Sequence, residues 1–271
     1  DSTNGETLSI VATGRCLFGA PMSGAKSVLS VYSKHNDIYV ERFGDFAFGD
    51  FEYDPYEDTG FGLVSRTDGV LDQQGQFKQT FNTSLAQKKE VIIETENAGN
   101  IRLVPHRALR VENQVKDAGD RSVTSTKETT VYAANVFPGI KRDRYFVSAG
   151  QPATFQIVAL DTRNNSKSES VEMQVFQKIY RTTDTKGPGG STKRETTVTI
   201  KRVAESSVRT GDKPVTYTFK PEESGIYFIV ARTSGGAFAR VPFYVSGAGY
   251  GYWSMYDDDR VDIIPERLDY K

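Results

Sequence analysis

Apolar residues in this chain recur at every second position, and almost nowhere at every third or fourth. The runs Thr7-Leu8-Ser9-Ile10-Val11-Ala12 and Ser27-Val28-Leu29-Ser30-Val31-Tyr32 place their apolar side chains on one face of an extended backbone. Val91-Ile92-Ile93-Glu94-Thr95, Leu109 to Val115 and Val123 to Ala133 repeat the pattern, as do 153–160, 171–176, 196–200, 215–219, 226–231 and 238–245. A period of two is the pleat of a half-buried strand, and Thr, Val, Tyr and Phe are the residues that such a surface favours. Turn sequences separate the runs: Asn36-Asp37, Asp72-Gln73-Gln74-Gly75, Asn97-Ala98-Gly99-Asn100, Asp117-Ala118-Gly119-Asp120 and Ser234-Gly235-Gly236. No segment predicts a helix longer than a turn or two. Short strands at intervals of roughly 8–12 residues predict an all-β fold of tandem antiparallel β-sandwiches.

With 271 residues the chain accommodates two such units. The expected division is a first sandwich over residues 1–135 and a second over 136–247, starting near Phe137-Pro138-Gly139. Residues 248–271 then form a linker and the opening strand of a third unit, because Val261-Asp262-Ile263-Ile264-Pro265 begins like a fresh strand. Two insertions interrupt the pattern. Residues 41–62 are acidic and aromatic, whereas Arg181 to Glu195 are polar and basic and are expected to form a mobile hairpin tip. Limited trypsin digestion is expected to nick between Lys186 and Arg194 first, and a first cut within 85–115 would contradict that assignment.

Composition removes several kinds of chemistry. Lys and Arg total 34 against 35 Asp and Glu, so the electrostatic attraction that non-specific nucleic-acid binding needs is missing. One Cys cannot close an internal disulfide, and with two His it falls short of a zinc site built from these ligands. The start, Asp1 to Glu6, has no basic or apolar leader character, and no apolar run approaches the ~20 residues of a membrane helix. Gly19 to Ser27 resembles a phosphate-binding loop one residue out of register, but a β-run follows it where a helix is required. Gly247-Ala248-Gly249-Tyr250-Gly251 lacks the dinucleotide-binding spacing.

Cys16 with His35 or His106 would nominally make a nucleophile and a base, yet nothing local supports the pairing. Cys16 is expected to be a core residue and His106, after Pro105, to reach solvent at a strand edge. Asp45, Asp50, Glu52, Asp54, Glu57 and Asp58 offer hard oxygen ligands for Ca²⁺, and Asp257-Asp258-Asp259 forms a second acidic cluster. Neither has the EF-hand spacing, and solvated turns or arginine partners are the simpler reading. No pair of carboxylates is singled out for glycoside chemistry. The sequons Asn82-Thr83-Ser84 and Asn164-Asn165-Ser166 matter only in a eukaryotic secretory pathway. Phe43, Phe46, Phe48, Phe51, Tyr53 and Tyr56 cannot all stay in water, so the insertion that carries them is expected to pack on its own sandwich or on a neighbouring domain, an interface rather than an active site. No catalytic, cofactor-binding or metal-binding residues are assigned.

Certain segments are family-like. Leu17-Phe18-Gly19-Ala20-Pro21-Met22-Ser23-Gly24-Ala25, after an alternating strand, resembles a segment of bacterial alpha-2-macroglobulins, and the Phe-Gly-Asp core of Phe46 to Asp54 resembles the acidic-aromatic loop that follows it. Val241-Pro242-Phe243-Tyr244-Val245-Ser246-Gly247, then Trp253 and Asp257 to Pro265, is similar to that family's junction into its next domain. There the family usually continues with a Tyr-x-Pro-Gly start, and this chain ends at Tyr270-Lys271. The resemblance implies macroglobulin-like sandwiches, similar to fibronectin type III domains, in a large periplasmic or envelope protein that entraps proteases. It also implies that cleavage of an exposed bait segment drives a collapse, and that in many members a Cys–Gln thioester captures the protease. Cys16 is followed by Leu17-Phe18-Gly19 rather than a Glu-Gln pair, so the thioester is not in this chain. The resemblance thus implies scaffold: no enzyme activity, no cofactor, no membrane contact, neighbouring domains of the same polypeptide as partners, and target proteases met through the whole protein. The competing reading is a tandem binding module of an adhesin or a carbohydrate-active protein.

Overall fold

The computed structural model describes residues 2–51, 60–86, 91–117, 119, 121–186 and 192–247. Its first half forms the strands β1 (Ser2–Thr3), β2 (Thr7–Thr13), β3 (Lys26–His35), β4 (Gly62–Val70) and β5 (Gln76–Asn82). The strands β6 (Val91–Thr95), β7 (Gly99–Leu103), β8 (Arg107–Lys116) and β9 (Ser122–Tyr132) follow. Five of these make one sheet in the order β1-β9-β8-β3-β4, while β2 pairs with β5 and β6 with β7. The five-stranded sheet and the β2–β5 pair enclose a core of Val31, Phe81, Ala86, Leu109 and Val131.

The second half forms β10 (Val136–Arg142), β11 (Phe146–Ser148), β12 (Ala153–Asp161), β13 (Ser170–Lys186) and β14 (Thr192–Arg209). It closes with β15 (Val215–Phe219), β16 (Gly225–Arg232) and β17 (Phe238–Ser246). Here two sheets, β10-β12-β15 and β11-β17-β16-β13-β14, face one another. Between them lies the largest core of the molecule, with Phe155, Ile157, Met173, Val175, Ile229 and Phe243 all at or below 1% exposure. Alternation explains this layer directly. Along β17, Ala239, Val241, Phe243 and Val245 point into the core, and the residues between them point to the opposite face.

The all-β architecture is therefore the one that the period of two predicts. Helical structure among the described residues is confined to two 3-10 turns, Glu41–Phe43 and Thr83–Ala86, and no helix is long and apolar enough to cross a membrane. The turns are built as their residues require. Asp72 Oδ1 accepts the backbone N–H groups of Gln74 and Gln76 at 2.9 and 2.8 Å, and Gly75 closes the turn at φ +71°. A Cβ on Gly75 would meet the Gly14 carbonyl at 2.5 Å, so both the dihedral and the space call for glycine.

The basic insertion at Arg181 to Glu195 belongs to the β13–β14 hairpin, whose strands stay in register to Lys186↔Thr192. Thr is a strong strand former, and Thr182 and Thr196 face each other with their hydroxyls 3.2 Å apart. Residues 187–191, the tip itself, lie outside the described residues, as do 52–59 of the acidic insertion and the whole junction 248–271.

Candidate functional site

No cluster of three or more His, Cys, Asp or Glu able to hold a metal occurs among the described residues. The side chains singled out from the sequence are dispersed accordingly. Cys16 is exposed, which overturns its assignment to the core. β2 ends at Thr13, and residues 14–21 form a projecting turn closed by the bridge Arg15↔Pro21 and the bond from Cys16 N–H to Ala20 O at 2.8 Å. Leu17 and Phe18 at its tip are 101% and 99% exposed. The Gly19–Ser27 segment is thus a turn that leads into β3, with no helix to complete a phosphate site.

His106 is also the reverse of the expectation, being buried at 1% exposure. What buries it comes from residues about thirty positions further on: its ring lies edge-on to Tyr132 at 5.8 Å and to Phe137 at 5.1 Å. Nδ1 accepts the Ala133 N–H at 3.1 Å, so the neutral ring carries its proton on Nε2, which is buried without a partner among the described residues. Burial pushes its pKa down to about 3, with the nearby His35 acting the same way and Asp37 opposing. His35 binds Asp37 at 3.0 Å and the Cys16 thiol faces solvent, so the nucleophile–base pairing is not assembled.

What the sequence-marked residues do build is a joint between the two halves. Insertion residues 43–51 lie across the edges of both sheets of the second sandwich. Ala47 exchanges backbone hydrogen bonds with Ile140 of β10 at 2.8 and 3.0 Å, and Arg240 of β17 is held between Gly49 O and Phe51 N in the same way. Phe48 is completely buried on Phe137, and Gly139 is required beneath it, since a Cβ there would run into the Phe48 ring. Phe43, Phe46, Phe48 and Phe137 form a continuous series of ring contacts that ends on Tyr132 and His106. The insertion's aromatics thus mark an interface, although Phe51 stays 52% exposed.

The acidic residues of the same insertion act on cations of the protein. Asp50, its side chain wholly buried, takes both Nε and Nη2 of Arg240 at 2.6 Å. Asp45 binds Lys141 at 3.1 Å. Two of the six proposed Ca²⁺ ligands are therefore engaged with basic side chains, and Glu52, Asp54, Glu57 and Asp58 lie outside the described residues, as do Asp257 to Asp259.

A second contact was not foreseen. The β6–β7 hairpin leaves its own sandwich and lays Ile93, Ile101 and Leu103 on Phe176, Phe228, Val230 and Phe238 of the second. At its turn, Glu96 N–H donates to Ile200 O at 2.8 Å. The Asn97 side-chain amide both donates to Arg202 O and accepts Arg202 N–H, each at 2.9 Å. Asn97 so mimics one residue of an added strand on the open edge of β14. The signal available in the sequence was the run Val91-Ile92-Ile93, too apolar for a strand with one face in water.

No family profile matches the chain. Its sequence is 23% identical over 275 residues to an alpha-2-macroglobulin homolog of Nostoc, an alignment that takes in 98% of this chain and 13% of the Nostoc protein. Its fold matches the native conformation of Escherichia coli alpha-2-macroglobulin with a TM-score of 0.63 and 17% identity, over 99% of this chain and 17% of that one. Trypsin-activated Escherichia coli alpha-2-macroglobulin matches with a TM-score of 0.60 and 17% identity, over 93% and 16% respectively. The chain is similar along nearly its whole length to a segment of bacterial alpha-2-macroglobulins, as its motifs imply, and spans about one eighth of the curated relative it matches.

Proposed function

We propose that this chain is an internal scaffold of a bacterial alpha-2-macroglobulin-like protease trap. It comprises two macroglobulin-like sandwiches, residues 1–135 and 136–247, with residues 248–271 leading into a further domain. The observation that carries this reading is the span of the likeness, which covers 98% of the chain in sequence and 99% in structure. Two matched structures of the Escherichia coli protein are described as activated by trypsin and by porcine elastase, and so name proteases as what the relatives respond to.

In this reading the chain performs no chemistry. Its part is to hold distance and angle between neighbouring domains while a protease cuts elsewhere, and the broad joint suits it to that. Its partners are the adjoining domains of the parent chain in the cell envelope, and proteases meet it only through the whole protein.

The test uses the full-length parent and trypsin. After incubation, trypsin should retain its activity on a small peptide substrate and lose it on casein, while the 271-residue chain alone changes neither. A parent that leaves casein hydrolysis untouched, or an isolated chain that inhibits by itself, contradicts the proposal.

A further inference from the structure

The two halves repeat one strand plan, and the repeat leaves one position of the first half unmatched. In the second half β11 runs parallel to β17, and the sheet continues through β16 and β13 to β14. In the first, β1 runs parallel to β9, and the sheet continues through β8 and β3 to β4. The strands that come next in the chain, β12 and β2, both cross to the facing sheet and pair antiparallel with a later strand, β15 or β5. β12 is also paired along its other edge, with β10 from Val136↔Asp161 to Arg142↔Phe155. β2 has no second neighbour among the described residues.

Both layers of the first sandwich register the difference. Gly14 N–H donates to Gly75 O and Thr83 N–H to Glu6 O, so Leu8, Ile10 and Ala12 between them direct their backbone groups to β5. The N–H and C=O groups of Thr7, Ser9, Val11 and Thr13 then point to the open edge. In the facing layer, β10 sets Ile140 into the same core as Val241, Phe243 and Val245 of β17, all of them buried. β9 holds the place of β17. Its Val123 is in register with the buried Val115, which faces the end of β2 at Gly14, so Val123 points inward too, yet it is 74% exposed.

We propose that the open edge of β2 is a strand-acceptor site, filled by the stretch of the parent polypeptide that leads into β1 and lies on β2 as β10 lies on β12. Connectivity selects that occupant. β10 reaches β11 through Asp143-Arg144-Tyr145 alone, so in this plan the edge is covered by the segment just ahead of the parallel strand. The site suits an extended segment of about seven residues, apolar at alternate positions so that one face covers Val123 and meets Leu8 and Ile10. Such a strand fastens the first sandwich to whatever precedes it through backbone hydrogen bonds rather than through a free linker. The proposal takes from the functional reading only that the chain belongs to a longer parent, so it stands or falls apart from protease trapping.

Residue-resolved hydrogen exchange on the 271-residue chain and on the full parent tests it. The amides of Ser9, Val11 and Thr13 should exchange roughly tenfold or more faster in the 271-residue chain than in the parent, while those of Leu8 and Ile10, bonded to β5, are protected in both. Val123→Asp should leave the circular dichroism and melting of the 271-residue chain unchanged, and in the parent it should return Ser9 and Val11 to fast exchange. Protection of Ser9 and Val11 in the 271-residue chain overturns the proposal. If independent of concentration it means that the chain closes its own edge, and if it fades on dilution, that a second copy does. Fast exchange at both residues in the parent also overturns it, as does protection there that Val123→Asp leaves untouched.

Discussion

His106 is a base held where a proton cannot follow without cost, and its position between Tyr132 and Phe137 makes it a reporter of the joint. Its pKa falls from 6.5 to about 3 on folding. Between those values the unfolded chain binds a proton that the folded chain does not, so this group's contribution to stability is intact above pH 6.5 and declines as pH falls toward 3, by about 1.4 kcal/mol per unit. The carboxylates act in a lower window. Burial works to raise the Asp161 pKa, but hydrogen bonds from the Asn165 backbone, Lys167, the Asn165 side chain and the Arg163 backbone hold it to about 2, and its contribution goes only as pH drops below about 4. Denaturant titrations at pH 7, 6, 5 and 4.5 should therefore show a slope that His106→Phe flattens, at a neutral-pH loss of about 1–3 kcal/mol for the orphaned Ala133 N–H. An unchanged slope in the variant would remove His106 from the account. Asp50 allows a second experiment at this scale. Asp50→Ala leaves the Arg240 guanidinium, 14% exposed, without its bidentate acceptor, and chemical denaturation should register a loss of about 3–5 kcal/mol. A loss below about 1 kcal/mol would mean that the pair is solvated in solution. An arginine partner for Asp50 is within reach of the sequence, whereas the places of Cys16 and His106 are not legible from their neighbours. Cys16 closes an alternating run and His106 follows a proline, yet the first is turned outward by an eight-residue turn and the second is covered by Phe137.

Strands prove legible where one face is dry and the other wet. β2, β3, β8, β12, β16 and β17 all coincide with alternating runs, because alternation and burial are the same fact read twice. β4 and β5 are absent from the expected set, since Gly69 interrupts the first and Gln76, Lys78 and Gln79 dilute the second. The β6–β7 hairpin shows a different failure. Its residues predict a strand correctly, but not that the strand belongs against the other sandwich, because a pattern specifies that a face is buried and not by what. Asn97 is the residue that makes this transfer consequential. By pairing with both backbone groups of Arg202, it closes the edge of an 18-residue strand just where the β13–β14 register slips at Val175/Phe176. Asn97→Ala should leave the fold intact and accelerate hydrogen exchange of the Arg202 amide by roughly tenfold, as expected for the loss of one net hydrogen bond. The amides of Ile157 and Ile229, deep in the second core, should exchange as before. Equal acceleration at all three would indicate global destabilisation, and no change at Arg202 would mean that the hairpin does not hold this edge.

At the scale of the molecule, the alternative to a rigid pair is two sandwiches on a string, the arrangement that a modular array suggests from sequence. The distribution of apolar contacts argues against it. Three of the four buried clusters among the described residues draw on both halves: one around Phe48 and Phe137, one around Phe176 and Phe228, and the largest, which takes in Ala47. The first sandwich's own core is the smaller of the two, with five buried members, and part of its hairpin structure is committed elsewhere. Stability that is shared in this way couples the halves. A domain that opened alone would expose Phe48, Phe137, Phe228 and Phe238, each of which contributes on the order of 1.5–3 kcal/mol by its burial. Thermal unfolding of the chain should therefore be one transition by calorimetry, with van't Hoff and calorimetric enthalpies equal. Two resolved transitions would show that the clusters at the joint are too weak to couple the halves. The same logic makes residues 136–247, expressed alone, a sandwich with its main core complete but for Ala47 and two apolar surfaces uncovered. That fragment should keep strand circular dichroism but bind a hydrophobic dye and associate with rising concentration, and adding Phe137→Ser and Phe228→Ser should reduce both behaviours. A monomeric fragment that leaves the dye unbound would mean that these surfaces close without the first half. The broad joint would then be a consequence of proximity rather than the element that makes the pair stiff.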